Sequence, residues 1–311
     1  MIERAFELAE RGRGTTAPNP VVGAVVVRNG QIVGEGWHER KGGPHAEVVA
    51  LEAAGRLARG ATLYVTMEPC AHHGSTPPCT EAVLESGVAK VVSGSLDPNP
   101  EAGGGLELLR EAGVEVEDAD SFAAREQNAA WRVWIAQKRP FVILKLAVTL
   151  DGRVAVPGSR WISGEESRRR VHELRAQVDA VGVGMGTVYA DDPQLTAREV
   201  GAERQPRRLA FGRGPLPDGS QLELRDGLLA GELHRLGEDG VQSLLLEGGP
   251  RLAEAFLQAD LVDQVLLFVA PRLGGSGPLF APDLSGQVEL RRLRAEQVGE
   301  DVLLSGYVHE P

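Results

Sequence analysis

The chain is poor in several things. Only two of its 311 residues are cysteine, Cys70 and Cys79, aromatic residues make up 5%, and the net charge is -11. Two cysteines cannot build a disulfide framework, and they suit the reducing cytoplasm, which is the expected compartment. The acidic balance and the shortage of aromatics argue against a nucleic-acid partner, because a duplex binder carries a basic stripe and a single-strand binder carries stacking platforms. The short run Arg168-Arg169-Arg170 reads as a solvated helix face. No secretory h-region follows Met1, and the most apolar stretch, residues 141–150, is short and carries Lys145. It falls well below the roughly 20 residues needed to cross a bilayer, so no membrane partner is expected.

What is present is a small set of reactive groups at telling spacings. Pro44-His45-Ala46-Glu47 is followed by Glu68-Pro69-Cys70 and, after eight intervening residues, by Cys79. One imidazole and two thiols are a three-ligand zinc set, and three protein ligands leave the fourth corner of a tetrahedral ion for solvent, which there loses a proton near neutral pH. A structural zinc site normally uses four protein ligands, so the count favours a catalytic one. Glu47 reads as the general acid/base that moves protons between water, ring nitrogen and departing amine. His72 and His73, in the segment between the cysteines, are rival ligands that would displace a thiolate without evident need. That segment, residues 71–78, is polar and proline-rich and is expected to line a substrate pocket.

Local patterns place these groups. Apolar residues recur at Val48, Val49, Leu51, Ala54 and Leu57, which predicts a helix opening at His45-Ala46-Glu47 just after Pro44. Residues 61–66 read as a buried strand and residues 80–86 as a helix stopped by Gly87. Cys79 therefore stands at a helix start, where the dipole favours thiolate.

With 42% hydrophobic residues, the chain has apolar material for two cores of ordinary size. Residues 1–140 read as a first domain: helix 2–10, a hairpin of strands 21–27 and 31–35 turning at Asn29-Gly30, then helix, strand, helix, strand 90–95, a helix begun by Gly103-Gly104-Gly105, and a last helix over 123–136. Such alternation implies helices on both faces of a mixed sheet. Residues 141–311 read as a second α/β domain, with strands at 141–148, 180–184, 207–211, 243–246, 264–270 and 302–308 and a helix over 165–177. Gly182-Val183-Gly184-Met185-Gly186 follows a strand without the spacing of a dinucleotide fingerprint. Glu247-Gly248-Gly249-Pro250 between a strand and a helix is better placed to offer bare amides to a pyrophosphate, or is a plain strand-to-helix turn.

Thr15-Thr16, Pro18-Asn19-Pro20-Val21-Val22-Gly23, Gly42-Gly43-Pro44-His45-Ala46-Glu47, Glu68-Pro69-Cys70, the loop His72-His73-Gly74-Ser75-Thr76-Pro77-Pro78-Cys79 and Asp97-Pro98-Asn99-Pro100 together resemble the bifunctional deaminase/reductase family of riboflavin biosynthesis. In that family the eight-residue insert is the normal form. The resemblance implies a cytidine-deaminase-like three-layer domain followed by a dihydrofolate-reductase-like α/β domain. It implies deamination of 2,5-diamino-6-(5-phosphoribosylamino)pyrimidin-4(3H)-one and then reduction of its ribosyl group by NADPH. One Zn2+ per chain would sit on His45, Cys70 and Cys79, with Glu47 catalytic and Asn19 touching the pyrimidine.

The second half matches through Lys145 to Arg153, Trp161-Ile162-Ser163-Gly164, Leu174-Arg175, Gly186-Thr187, Asp191-Asp192-Pro193, Leu195-Thr196, Arg198 and Leu246 to Pro250. The resemblance implies NADPH contacts at Ala147, Trp161, Thr187, Asp191 and Gly249, Pro250, Arg251, Leu252, Ala253, Glu254 and Ala255. It implies substrate contacts at Ser159, Arg175, Gln194, Arg198 and Glu247, with Lys145 steadying the sugar and Asp151 orienting it. The guanidinium forks of Arg175 and Arg198 match a phosphate with parallel hydrogen bonds. The partner is thus a small phosphorylated pyrimidine, and a homodimer is the base-rate expectation. Two departures stand out: between Gln221 and Val241 the chain reads as much shorter than the family's usual course, as if a strand and a helix had been trimmed, and Gly212-Arg213 replaces the family's acidic residue and serine, so that either Arg213 meets the cofactor's extra phosphate in a new way or the cofactor groove is damaged. A deaminase with a silent, binding or dimer-forming carboxy-terminal half is the alternative, and direct NADPH titration separates the two.

Overall fold

A computed structural model of the chain describes all residues except Ser75 and Glu203. It divides into two compact units, Met1–Gln137 together with Pro311, and Lys138–Glu310.

The first unit runs α1 (Ile2–Glu10), β1 (Gly23–Arg28), β2 (Gln31–Trp37), α2 (Ala46–Ala54), β3 (Thr62–Val65), α3 (Cys79–Ser86), β4 (Lys90–Ser93), α4 (Gly105–Glu111), β5 (Glu115–Asp118), α5 (Phe122–Gln127) and α6 (Ala129–Gln137). The sheet order is β2-β1-β3-β4-β5. The first two pairings are antiparallel and the others parallel, so the sheet is mixed. Asn29 and Gly30 both have positive φ, 52° and 77°, the requirement of a two-residue turn matching strand twist. Alternation along β1 sorts the layers. Ala24 and Val26 join Leu63, Val65 and Val91 under α2, α3 and α4, while Val25 faces Ala5 and Leu8 of α1. Helix α2 lies hard on β2, because a Cβ at Gly34 would meet Ala50 O at 2.2 Å and one at Gly36 would meet Ala46 O at 2.5 Å. Those two glycines let the helix bearing His45 and Glu47 approach the sheet.

The single helix expected over 123–136 is two. Asn128 breaks it, accepting from the Val21 N–H and donating to the Val21 carbonyl, both at 2.9 Å. An amide that satisfies a distant strand start competes with helix propagation. Strand β5 escaped the sequence pattern because its Glu-Val-Glu-Asp side chains form an exposed, charged edge.

The second unit runs β6 (Phe141–Thr149), α7 (Glu165–Gln177), β7 (Ala180–Gly184), α8 (Met185–Asp191), β8 (Arg207–Phe211), β9 (Glu223–Arg225), α9 (Leu229–Glu238), β10 (Ser243–Leu246), α10 (Pro250–Gln258), β11 (Gln264–Ala270), β12 (Arg291–Val298) and β13 (Asp301–Tyr307). Its sheet order is β12-β13-β11-β6-β10-β7-β8-β9, parallel from β11 to β9 with an antiparallel β12/β13 end. Strands β6 and β10 are covered on both faces, which is why they read as continuous apolar runs rather than alternating ones. Leu144, Leu244 and Leu246 pack against Leu233 and Leu236 of α9 and Phe256 of α10, while Val181, Val183 and Leu245 pack against Met185 and Val188 of α8. Segment 221–241 holds a strand, β9, and a helix, α9. Gly182, within β7, has a packing reason: a Cβ there would meet the Phe211 ring at 2.6 Å.

Candidate active sites

In the first unit, two helix starts converge. His45 is the N-cap of α2, Glu47 lies in its first turn, and Cys79 is the first residue of α3. Cys70 sits in the segment after β3, and its Sγ accepts from the Cys79 backbone N–H at 3.3 Å. His45 Nδ1 lies 3.1 Å from Cys79 Sγ and 3.6 Å from Cys70 Sγ. The three donor atoms all fall within 4.8 Å of one another. Bond lengths of about 2.0–2.3 Å put the donors of a tetrahedral zinc roughly 3.5–3.8 Å apart, so the set fits that ion. Hydrogen bonds from Cys79 and His45 hold the Cys70 thiol down to about 4, whereas Cys70 and burial push Cys79 up. Burial pushes the Glu47 carboxyl up to about 7 against the opposing charge of His45. A carboxyl so placed can hold or release a proton near neutrality.

The remaining ring nitrogen of His45 faces Thr76 Oγ1 at 3.4 Å. His38, buried, stands edge-on to the His45 ring at 5.4 Å; its Nδ1 lies 3.0 Å from Pro44 O and its Nε2 lies 3.3 Å from Asn19 Nδ2. Sequence reasoning missed His38, for which the only signal was its place in Gly36-Trp37-His38. Glu68, quoted only as part of a motif, holds the opposite wall: it accepts from the N–H groups of Asp97, Gly104 and Leu106 at 3.0–3.1 Å. The resulting cleft, 370 Å³, is lined by Asn19, His38, Glu47, His72, Asp97 and Trp134 among others. His73 pairs with exposed Glu81 at 3.3 Å instead of approaching the thiols, and His72 is exposed on the cleft wall. Ser75 of this loop lies outside the described residues.

In the second unit, the cleft at the ends of β6, β10 and β7 is 460 Å³ and holds a chain of charges. Arg175 donates to Glu247 twice, at 2.6 and 3.0 Å, and to Thr196 O at 3.1 Å, while Lys145 Nζ lies 3.7 Å from Glu247. Burial pulls the Lys145 pKa down against Glu247's attraction. Burial pushes Glu247 up, but Lys145 and Arg175 more than offset it and leave the carboxyl below its ordinary value. Ala147, Trp161, Thr187, Asp191, Arg198, Gly249 and Pro250 also line this cleft. Thr187, Asp191, Gly249, Pro250 and Pro278 continue into a second hollow of 760 Å³, with Arg251, Leu252 and Glu254 on its wall. Gly249 caps α10 and Pro250 opens it, so first-turn amides stand at the join of the two hollows. That arrangement fits a pyrophosphate.

Several expected residues are placed elsewhere. Asp151 lines neither hollow; its carboxylate accepts from Thr149 Oγ1 at 2.5 Å and from the N–H groups of Gly274 and Gly275 at 2.7 and 3.0 Å, fixing the turn after β6. Those hydrogen bonds hold it below the usual carboxylate range. Ser159 donates to Trp161 O at 2.8 Å within its own turn. Gln194 lines a separate small hollow beside Arg208 and Asp218. Ala253 is in the core, and Ala255, on the same helix, lines neither hollow. Arg213 is exposed and off both walls. Arg168, read as solvated, instead lies over Trp161 at 5.3 Å and donates to Ser163 O at 2.7 Å in the cleft, whereas Arg169 and Arg170 pair with Glu173. Arg160 also lies over Trp161, at 5.0 Å.

Comparison with known proteins agrees with both halves. Residues 1–95 match the cytidine and deoxycytidylate deaminase zinc-binding region, and residues 140–304 match the RibD C-terminal domain. The riboflavin biosynthesis protein RibD of Aquifex aeolicus is 41% identical over 96% of this chain and 95% of its own, and that of Mycobacterium tuberculosis is 45% identical over 97% and 94%. The chain belongs to the RibD family of riboflavin biosynthesis proteins. Among solved structures, Acinetobacter baumannii RibD matches with TM-score 0.86 at 36% identity, covering 98% of this chain and 97% of that one. A Thermotoga maritima diaminohydroxyphosphoribosylaminopyrimidine deaminase/5-amino-6-(5-phosphoribosylamino)uracil reductase matches with TM-score 0.85 at 37% identity over the same shares. Both domains of a bifunctional deaminase/reductase are therefore present, a zinc-binding deaminase region and a reductase domain. No helix among the described residues is long and apolar enough to cross a membrane.

Proposed function

We propose that the amino-terminal unit deaminates 2,5-diamino-6-(5-phosphoribosylamino)pyrimidin-4(3H)-one with one Zn2+ per chain. The carboxy-terminal unit then reduces the ribosyl group to ribityl, giving 5-amino-6-(5-phosphoribitylamino)uracil. The observation that carries the first step is the meeting of His45 Nδ1, Cys70 Sγ and Cys79 Sγ next to a buried Glu47 on a polar cleft. Zinc held there supplies a Lewis acid that makes water nucleophilic near neutral pH. Glu47 takes one proton from the attacking water and passes it to the ring nitrogen, then takes the second from the new C–OH and passes it to the leaving amine as the C–N bond breaks, so one water enters and one ammonia departs. His38 packs on the His45 ring and fixes its orientation. Asn19, hydrogen-bonded to His38 on the cleft wall, is the residue this reading assigns to the pyrimidine.

The second step rests on the Lys145–Glu247–Arg175 cluster beside the amides of α10. A reduced nicotinamide dinucleotide, NADPH as the resemblance implies, would supply the hydride for C1′ of the opened ribosyl group, whose C1′=N bond would take its proton on nitrogen from solvent. Lys145 stabilises charge developing on the sugar, and alignment in the cleft supplies most of the rate. Arg198 is available to the substrate phosphate, while Arg175 orients Glu247. Two unpaired thiols suit a reducing compartment, which supports the cytoplasm as the place of action. The test is a coupled assay of the purified protein on the pyrimidine, with ammonia and dinucleotide oxidation recorded separately; ammonia without oxidation would remove the reductase claim.

A further inference from the structure

Arg198 leaves the reductase unit from a turn that the backbone would not adopt unaided. Leu195 and Glu199, on either side of Thr196-Ala197-Arg198, both have positive φ, 52° and 62°, where Cβ crowds the carbonyl that follows. Neither residue is glycine, so surrounding contacts must hold the conformation. Leu195 is anchored by its side chain, which is buried with Val183 and Val188.

Between the two strained residues the main chain is gripped from two sides. Gln205 Oε1 accepts from the Ala197 N–H at 2.8 Å, and its Nε2 donates to Ala197 O at 2.9 Å. From α7, His172 Nδ1 lies 3.0 Å from Thr196 O, and Arg175 donates to the same oxygen at 3.1 Å. Burial and Arg175 lower the His172 pKa, so the ring is neutral at pH 7. A carbonyl can only accept, which puts the proton of that neutral ring on Nδ1. The Arg198 main-chain nitrogen stands 3.3 Å from the same ring atom. The root of Arg198 is thus fixed, while its side chain is exposed on the cleft. An arginine on a loose turn loses both side-chain and backbone freedom on meeting a phosphate; a fixed root removes the second loss.

We propose that His172 and Gln205 are positioning residues for Arg198, holding its turn so that the guanidinium meets the substrate phosphate already aimed. This rests on the reading of Arg198 as the phosphate-binding arginine and deepens it. Gln205 carries the argument furthest, because it lies off the cleft wall and reaches the substrate only through the turn.

The test is steady-state kinetics of the reductase step in the full zinc-loaded chain, on pre-deaminated substrate with and without its phosphate. The variants are Gln205→Ala, His172→Leu and His172→Asn, each alone and combined with Arg198→Ala. Gln205→Ala and His172→Leu should each raise KM for the phosphorylated substrate about 5- to 10-fold, the worth of roughly one hydrogen bond, with a much smaller effect on the dephosphorylated one. Asparagine can present an amide N–H in place of Nδ1–H, so His172→Asn should recover most of the loss. With Arg198→Ala already in place, neither substitution should raise KM further, because the side chain they aim is gone. Equal rises on both substrates, a rise that persists in full without Arg198, or no rise in Gln205→Ala would each overturn the inference. Should His172→Leu fail to fold, Gln205→Ala decides alone. An Arg198→Ala protein with no phosphate-selective defect overturns the reading of Arg198 itself, and the inference with it.

Discussion

The Arg175 guanidinium grips the Glu247 carboxylate through two hydrogen bonds of 2.6 and 3.0 Å, so the fork that the sequence offers to a phosphate is already filled. Arg198, exposed on the same cleft, is the arginine proposed above to meet the substrate's phosphate, while Arg160 and Arg168 of that cleft lie over Trp161. Arg198→Ala should therefore raise the reductase KM for the phosphorylated substrate about 10- to 100-fold and have little effect on a dephosphorylated one. Arg175→Lys should lower kcat on both substrates, because it disturbs Glu247 and Lys145 rather than the phosphate. Steady-state kinetics on the two substrates check this, and an Arg175 variant with the phosphate-selective KM defect would reverse the assignment.

Glu47→Ala should bind one zinc per chain, since the carboxylate is not among the three donors that meet. Its ammonia release should fall by about 10²- to 10⁴-fold, the usual worth of a positioned proton carrier, while reduction of pre-deaminated substrate continues. Chelation of the unaltered protein should abolish ammonia release and likewise spare the reduction. Metal analysis together with the two separate assays decides the matter; simultaneous loss of both activities in the variant would contradict independent sites.

Why some of this was legible in the sequence follows from range. His45, Glu47, Cys70 and Cys79 could be placed because local signals fix them: Pro44 and the apolar period put His45 and Glu47 at a helix start, and Gly87 closes the helix that Cys79 opens. The Asn29-Gly30 turn and the buried runs of β6 and β10 were readable for the same reason. Asn128 was not, because its break in the last helix is set by Val21, far away in the chain. Strand β12 was missed because its residues are exposed along nearly its whole length and carry no alternation. Asp151 looked functional by motif, yet two glycine amides from a distant loop claim it.

Asp263 is fully buried and accepts from both ends of the Arg139 fork at 2.7 Å and from the Val142 N–H at 2.7 Å, which anchors the first residues of β6. Asp263→Ala strands a mostly buried guanidinium and a strand amide. A loss of about 3–5 kcal/mol in the unfolding of the reductase unit is expected, the cost of removing one partner from a buried pair. Denaturant titration measures it, and a change within about 0.5 kcal/mol, as for an ordinary surface site, would show the pair to be dispensable.

Lys145 is surrounded by Phe268, whose ring centre lies 5.8 Å from Nζ, by Glu247 and by Arg175, and burial lowers its pKa. The sign follows directly. The cation is present at low pH and is lost on raising pH through a value below the ordinary lysine figure of about 10.4. If the cation steadies the sugar, reductase kcat/KM must fall along an alkaline limb beginning below that figure, with the deaminase assay excluded by using pre-deaminated substrate. Lys145→Arg keeps its charge throughout the accessible range, since guanidinium does not deprotonate in proteins. It should turn over more slowly, because a planar fork replaces a point charge, but without the alkaline limb. An unchanged limb in Lys145→Arg would mean that another group titrates there and that Lys145 serves only to hold Glu247 in place.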